Sequence, residues 1–82
     1  MRLDKYLKVA RIIKRRTVAN DACDASHVSV NGRSAKASYD VKVGDEIAVS
    51  FGARTVKVRV LSVKEAVRKE EAAQLYEIIS QE

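Results

Sequence analysis

At 82 residues the chain makes one small domain, and its 46% hydrophobic content argues for a folded core rather than disorder. A single cysteine excludes an internal disulfide and fits a reducing compartment; no apolar run approaches a membrane span, and the basic N-terminus lacks the uninterrupted apolar core of a secretory signal. Seven basic residues against one acid give residues 1–16 a net +6, so the remaining residues of this +5 chain carry −1, and the positive charge is a local patch of the kind nucleic-acid binders display.

The first helix starts the chain. Leu3, Leu7 and Ala10 recur at helical spacing with Tyr6 beside them, while Arg2, Lys5 and Lys8 form a row along another side. The polar side is almost purely cationic. Ordinary solvated faces mix the two signs, and that is the competing reading of this helix. Asp4 is the exception, placed in the first turn where a carboxylate suits the helix dipole. Ile12 and Ile13 cover the core as the helix ends. Lys14, Arg15 and Arg16 follow, and then Thr17, a suitable N-cap for a second helix over roughly 17–26. Val18, Ala22 and Ala25 make the apolar stripe of that helix. The basic triplet then stands at the helix junction, where side chains and free backbone N–H groups can hold a phosphate together.

Cys23 and His27 are four apart, but two ligands make no zinc site, and no carboxylate is spaced to orient His27 toward the thiol. The spacing predicts a buried structural thiol and a surface imidazole, with no catalytic group, metal or cofactor.

Val28 to Ala35 reads as a tight hairpin about Asn31-Gly32, because both residues tolerate positive φ. Residues 36–40 form a loop and Val43-Gly44-Asp45-Glu46 a second turn. Ile47, Val49 and Phe51 alternate along one strand with a buried side. After Gly52-Ala53-Arg54, Val56, Val58 and Val60 alternate with Lys57, Arg59 and Leu61 along the next. The basic side of that strand is either an RNA surface or protection against edge pairing. With no proline and no tryptophan, Leu, Ile, Val and Phe51 supply the core. A linker near 64–68 and a C-terminal helix of about ten residues are expected, with Ala72, Leu75, Tyr76 and Ile79 on one face. Three tyrosines and one phenylalanine leave little for base stacking, which favours recognition of structured RNA by backbone and shape.

Arg2-Leu3-Asp4-Lys5-Tyr6-Leu7, Lys14-Arg15-Arg16-Thr17, Val28-Ser29-Val30-Asn31-Gly32 and Val43-Gly44-Asp45-Glu46-Ile47, in this order and spacing, resemble the S-four RNA-binding domain, named after ribosomal small-subunit protein four. The resemblance covers residues 1 to about 51 by motif and to about 63 by strand pattern. It implies an α+β fold of the alpha-L type, two N-terminal helices packed on a small, mostly antiparallel sheet, with the domain at 1–63 and a helical extension at 64–82. Ser26 stands where the family usually has glycine, and Val43 where it usually has proline; both concern loop geometry.

The chain is similar to free-standing members of the family that act in bacterial ribosome-associated quality control, and more distantly to the fifteen-kilodalton heat-shock protein, whose longer basic tail it lacks. That resemblance implies a non-catalytic, cytoplasmic, monomeric factor. Its partners would be the large (50S) ribosomal subunit, 23S rRNA, peptidyl-tRNA in the P site and RqcH, in support of template-free alanine tailing. Subunit recycling of the heat-shock type, or service as the RNA-targeting subunit of an rRNA- or tRNA-modifying enzyme, are the alternatives. By motif match the RNA contacts would be Arg2, Lys5, Lys8, Arg11, Lys14, Arg15, Arg16 and Thr17, with Asn31, Lys36 and Lys42 from the sheet side.

Overall fold

The computed structural model describes residues 1–64 and 68–81. Two helices, α1 (Leu3–Val9) and α2 (Arg16–Asp24), precede β1 (Val28–Val30), β2 (Arg33–Ser34), β3 (Glu46–Phe51) and β4 (Arg54–Val60); a 3-10 helix (Lys69–Leu75) and β5 (Tyr76–Gln81) follow. The strands form one antiparallel sheet in the order β2-β1-β3-β4-β5. The expected α+β arrangement, two N-terminal helices on a small antiparallel sheet, is the observed one.

The core lies between the helices and one face of the sheet. Leu3, Tyr6, Leu7 and Ala10 of the α1 region are buried against Val28, Val30, Ile47, Val49, Val58 and Val60. Period 3.6 and period 2 meet there, as the alternating sequence requires. The register pairs Ile47 with Val58 and Val49 with Val56, so like side chains stand opposite each other across the sheet.

Four expectations are corrected. The second helix begins at Arg16 rather than Thr17; Arg15 is its extended N-cap (φ −122°, ψ 137°), and no side chain caps the helix. Its buried stripe is Ala19 and Cys23, with Ala22 partly buried, rather than Val18, Ala22 and Ala25; Val18 and Ala25 are exposed. The stripe is rotated by about one residue because Ala19 and Cys23 let the helix come close to α1. Phe51 is exposed rather than part of the core, because it ends β3 opposite Arg54, beside the Gly52 turn. The C-terminal helix of about ten residues is instead the seven-residue 3-10 helix followed by β5, which adds to the sheet along β4. Ala72 and Leu75 are buried as expected, but Ile79 is exposed. The linker near 64–68 falls largely outside the described residues.

Two turns show what their residue types do. Asn31 and Gly32 both have positive φ (53° and 84°), as a tight hairpin needs. Ser26 has φ 62°, so the conformation that suits glycine is kept with a serine in it. The Asn31 side chain also explains the spacing of the two turn motifs. Its Nδ2 donates to Asp45 Oδ1 (3.2 Å) and its Oδ1 accepts from the Glu46 backbone N–H (3.0 Å). Asp45 Oδ2 accepts in turn from the Tyr39 hydroxyl and the Lys42 backbone N–H, both at 2.9 Å. The hairpin tip and the Gly-Asp turn are thus one hydrogen-bonded unit. Burial by itself would raise the Asp45 pKa, but the hydrogen bonds from Lys42, Tyr39 and Asn31 outweigh it and hold the carboxyl below its usual range.

Candidate nucleic-acid interface

The basic residues of the first segment run from the residue before α1, along that helix, to the start of α2. Arg2 precedes the helix and bridges to Asp40 through its backbone. Lys5 is half-buried on α1 and Lys8 is exposed in its last turn. Arg11 lies in the turn beyond, at φ 60°, and Lys14 and Arg15 are exposed in the connection to α2. Lys8, Arg11, Lys14 and Arg15 join no ion pair among the described residues. A cation without an acid beside it keeps its full attraction for phosphate.

The cations of β4 are arranged differently. Lys57 Nζ lies 3.5 Å from Glu46, and Arg59 lies 3.7 Å from Glu46 and 2.6 Å from Glu77. The basic side of this strand is a cross-strand ion-pair ladder with its charge largely neutralised. β4 is paired on both sides, with β3 and β5, so protection of an edge does not account for its basic side; the ion pairs instead make Lys57 and Arg59 cross-strand partners of Glu46 and Glu77.

At the start of α1 the site is organised by a buried acid. The Asp4 side chain is 3% exposed. Arg2 Nε donates to its Oδ1 at 3.2 Å and Arg2 Nη2 to its Oδ2 at 3.4 Å. Asn20 Nδ2 donates to Oδ2 at 3.3 Å, the Lys5 backbone N–H donates to Oδ1 at 2.8 Å, and Arg16 Nε lies 3.4 Å from Oδ2. Residues fourteen apart in the chain thereby share one carboxylate, because the pairing of α1 with α2 brings the two helix starts together. Burial alone would raise the Asp4 pKa; the hydrogen bonds from Asn20, Arg2 and Lys5 and the charge of Arg16 outweigh it, and the carboxyl is held below its usual range. The Arg2 and Arg16 side chains each keep about half of their surface open (50% and 48%). Thr17 is exposed next to them and lines a shallow depression with Asp4, Arg16, Asn20 and Asp21.

Residues 36–42 run along the same end of α1. The Leu3 N–H donates to the Tyr39 carbonyl (2.8 Å), the Asp4 N–H to the Ala37 carbonyl (3.2 Å) and the Val41 N–H to the Met1 carbonyl (2.8 Å). The terminal amine donates to Asp40 Oδ1 at 2.8 Å. This ladder brings exposed Lys36 and Lys42 to the side of the sheet nearest Arg2. Lys36 lines an open groove of about 600 Å³ with Asn31, Arg33, Ser34, Ser38 and Tyr39. Asn31 has its side-chain amide committed to Asp45 and Glu46, so its part there is to hold the hairpin tip.

Sequence reasoning missed Asp4 and Asn20 as members of the site, and Arg33 as the second cation of the groove. Asn20 did carry a signal, since it lies four positions after Arg16 on one helix face. Arg33 directly follows the Asn-Gly turn, and nothing in the spacing relates it to Lys36. Cys23 is buried and His27 exposed, in line with their expected structural roles. Burial pushes the Cys23 thiol up to about 11, with Asp4 and Asp24 adding to the shift. No group of three His, Cys, Asp or Glu among the described residues could hold a metal ion. No helix among them is long and apolar enough to cross a membrane.

Residues 1–47 match the S4 domain family. A Bacillus subtilis (strain 168) protein named RQC P-site tRNA stabilizing factor is 54% identical over 82 residues, spanning 100% of this chain and 95% of the relative. The protein of the same name from Streptococcus pneumoniae (strain ATCC BAA-255 / R6) is 54% identical over 81 residues, spanning 99% of this chain and 92% of the relative. Among solved structures, the trimeric Heat Shock Protein 15 of Vibrio cholerae superposes with a TM-score of 0.90 at 32% identity, covering 98% of this chain and 82% of that one.

Proposed function

The chain belongs to the S4 domain family, and from that membership we propose that it is a non-catalytic RNA-binding factor of ribosome-associated quality control, acting in the cytoplasm on large ribosomal subunits that still carry peptidyl-tRNA. It holds the P-site tRNA against 23S rRNA while RqcH directs alanine tailing of the blocked chain. The RNA contacts are Arg2, Lys5, Lys8, Arg11, Lys14, Arg15, Arg16 and Thr17, flanked by Lys36, Lys42 and the hairpin tip held by Asn31. The protein acts as a monomer.

The observation that carries the reading is the contrast between two basic surfaces. Lys8, Arg11, Lys14 and Arg15 have no acid partner among the described residues, whereas Lys57 and Arg59 are neutralised by Glu46 and Glu77. Unpaired cations around the helix junction suit the backbone of structured RNA, and arginine there can engage a phosphate bidentately. The names of the 54% identical relatives support the tRNA-bound setting.

Sedimentation with large subunits carrying peptidyl-tRNA tests the assignment. Arg16→Ala should lose roughly ten- to hundred-fold in affinity, the worth of one charge-assisted contact, with circular dichroism unchanged. Lys57→Ala should co-sediment like the parent. The reverse pattern would move the RNA surface to the sheet. The similarity to Heat Shock Protein 15 favours a second reading, recycling of subunits after heat stress. Loss of alanine tailing, with normal recovery from heat shock, in cells lacking the protein separates the two.

A further inference from the structure

We propose that Asp4 is a positioning residue, whose buried carboxylate ties the guanidinium groups of Arg2 and Arg16 into one pre-set cationic pair aimed at the RNA backbone. The proposal rests on the reading of this end of α1 as an RNA surface, and it assigns the buried acid of that surface a role in binding.

The placement of Asp4 is otherwise hard to reconcile with the site. A carboxylate amid cations that attract phosphate subtracts from their field. It is nonetheless buried and engaged by Arg2, Asn20, the Lys5 backbone and Arg16. An arginine left free on a surface samples many rotamers, and ordering it on a ligand has an entropic cost. Here Arg2 is hydrogen-bonded to the carboxylate through Nε and Nη2, and Arg16 holds its Nε 3.4 Å from the same group, while about half of each side chain remains open to solvent. Ordering two rotamer-rich side chains before the ligand arrives is the general route by which preorganisation gains affinity. Asn20, reaching the same oxygen as Arg16 from the next turn of α2, keeps the carboxylate itself from turning.

The two accounts of Asp4 predict opposite signs. If the acid matters only through its charge, Asp4→Asn adds one positive charge to the site, tightens RNA binding and steepens its salt dependence. If it positions the arginines, Asp4→Asn weakens binding by roughly ten- to hundred-fold, the equivalent of two side chains to be ordered anew, and makes the salt slope shallower by about one to two phosphates. Equilibrium binding of the full chain to large subunits carrying peptidyl-tRNA, across a salt series, reads both quantities. In an Arg2→Ala, Arg16→Ala background, Asp4→Asn should cause no further loss, because nothing is left to position.

A second variant guards against a folding defect. Arg2→Lys with Arg16→Lys keeps every charge but not the Nε edge that meets Asp4, and it should lose affinity comparably. The Nε–H resonance of Arg2 in nitrogen-15 spectra of the free protein should be slow to exchange in the parent and should collapse in Asp4→Asn. Binding of Asp4→Asn as tight as the parent overturns the proposal. So does an equal loss in the double-alanine background, which would mean that Asp4 acts through the fold alone. A parent protein that does not bind large subunits sinks the functional reading instead, and the same cycle measured on a generic structured RNA then decides the role of Asp4.

Discussion

Replacing Tyr6 with phenylalanine tests how the C-terminal segment is fastened to the helices. Tyr6 is fully buried, and its hydroxyl donates to the Leu75 carbonyl at 2.7 Å across 69 positions of sequence. The same carbonyl accepts from the backbone N–H groups of Leu61 (2.8 Å) and Ser62 (3.2 Å). Tyr6→Phe therefore removes one donor, leaves the ring in its place and orphans no acceptor. The loss is that of a single net hydrogen bond, about 1 kcal/mol, rather than the larger penalty of a stranded carbonyl. For a domain of this size that lowers Tm by roughly 4–8 °C.

The pH dependence supplies a second, signed check. Burial pushes the Tyr6 hydroxyl well above its usual value of 10.0, and Tyr76 adds to the shift. An unfolded tyrosine ionises near 10 while the folded one ionises only at higher pH, so the contribution of the hydroxyl is complete below pH 10 and is lost as pH rises beyond it. One pH unit corresponds to about 1.4 kcal/mol, so the stability gap between parent and Phe variant should close within about one unit above pH 10. Urea unfolding followed by circular dichroism, at neutral pH and through the alkaline range, measures both. Equal midpoints at neutral pH, or a gap that persists at alkaline pH, would refute a buried, donating hydroxyl.

Two further outcomes are expected. Val58 is 1% exposed and stands between Ile47 and Ile78 in the sheet, so Val58→Asp buries an unpaired charge and should remove about 4 kcal/mol or more, leaving the chain largely unfolded by circular dichroism; an unchanged midpoint would show the side chain to be open to water. Ser26→Gly relieves a non-glycine residue at φ 62°, worth about 1–2 kcal/mol against roughly 0.5–1 kcal/mol of added unfolded-state freedom, so thermal unfolding should show a small gain in stability; a clear loss contradicts the turn geometry.

The elements legible in the sequence are those in which local and tertiary preferences agree. Leu3, Tyr6, Leu7 and Ala10 are buried as their spacing requires, and Ile47, Val49, Val58 and Val60 line the buried face of the sheet. Where the two levels conflict, sequence reasoning failed. Glu70-Glu71-Ala72-Ala73 is strong helix-forming sequence, and it carries the helical expectation past Leu75. Yet Tyr76–Gln81 meets an open edge of β4, and pairing with it satisfies backbone groups that a short exposed helix would leave to water. Val18 is more hydrophobic than Ala19 but stands exposed, because close packing of α2 on α1 selects for small volume at the contact.

The candidate site divides in the same way. Its charge was legible, because sign is a property of residues and seven cations in sixteen positions need no structure to be noticed. Its geometry was not, because the feature that orders it joins Arg2, Asp4, Arg16 and Asn20 from two helices. Read along the chain, Asp4 has only its place in the first turn, and a helix-dipole role accounts for it. Its burial is what changes the argument. A surface carboxylate in that turn needs no partner, whereas one that is 3% exposed must be matched; the donors are Arg2, Asn20 and the Lys5 backbone, with Arg16 as a second ion-pair partner, and both arginines are named by the motif resemblance as RNA contacts. The Arg-Leu-Asp start and the Lys-Arg-Arg-Thr stretch are therefore halves of one physical unit, separated in sequence by the length of a helix and a turn. Conservative replacement within either half, arginine by lysine or aspartate by asparagine, preserves or improves the charge pattern seen in the sequence while dismantling the arrangement.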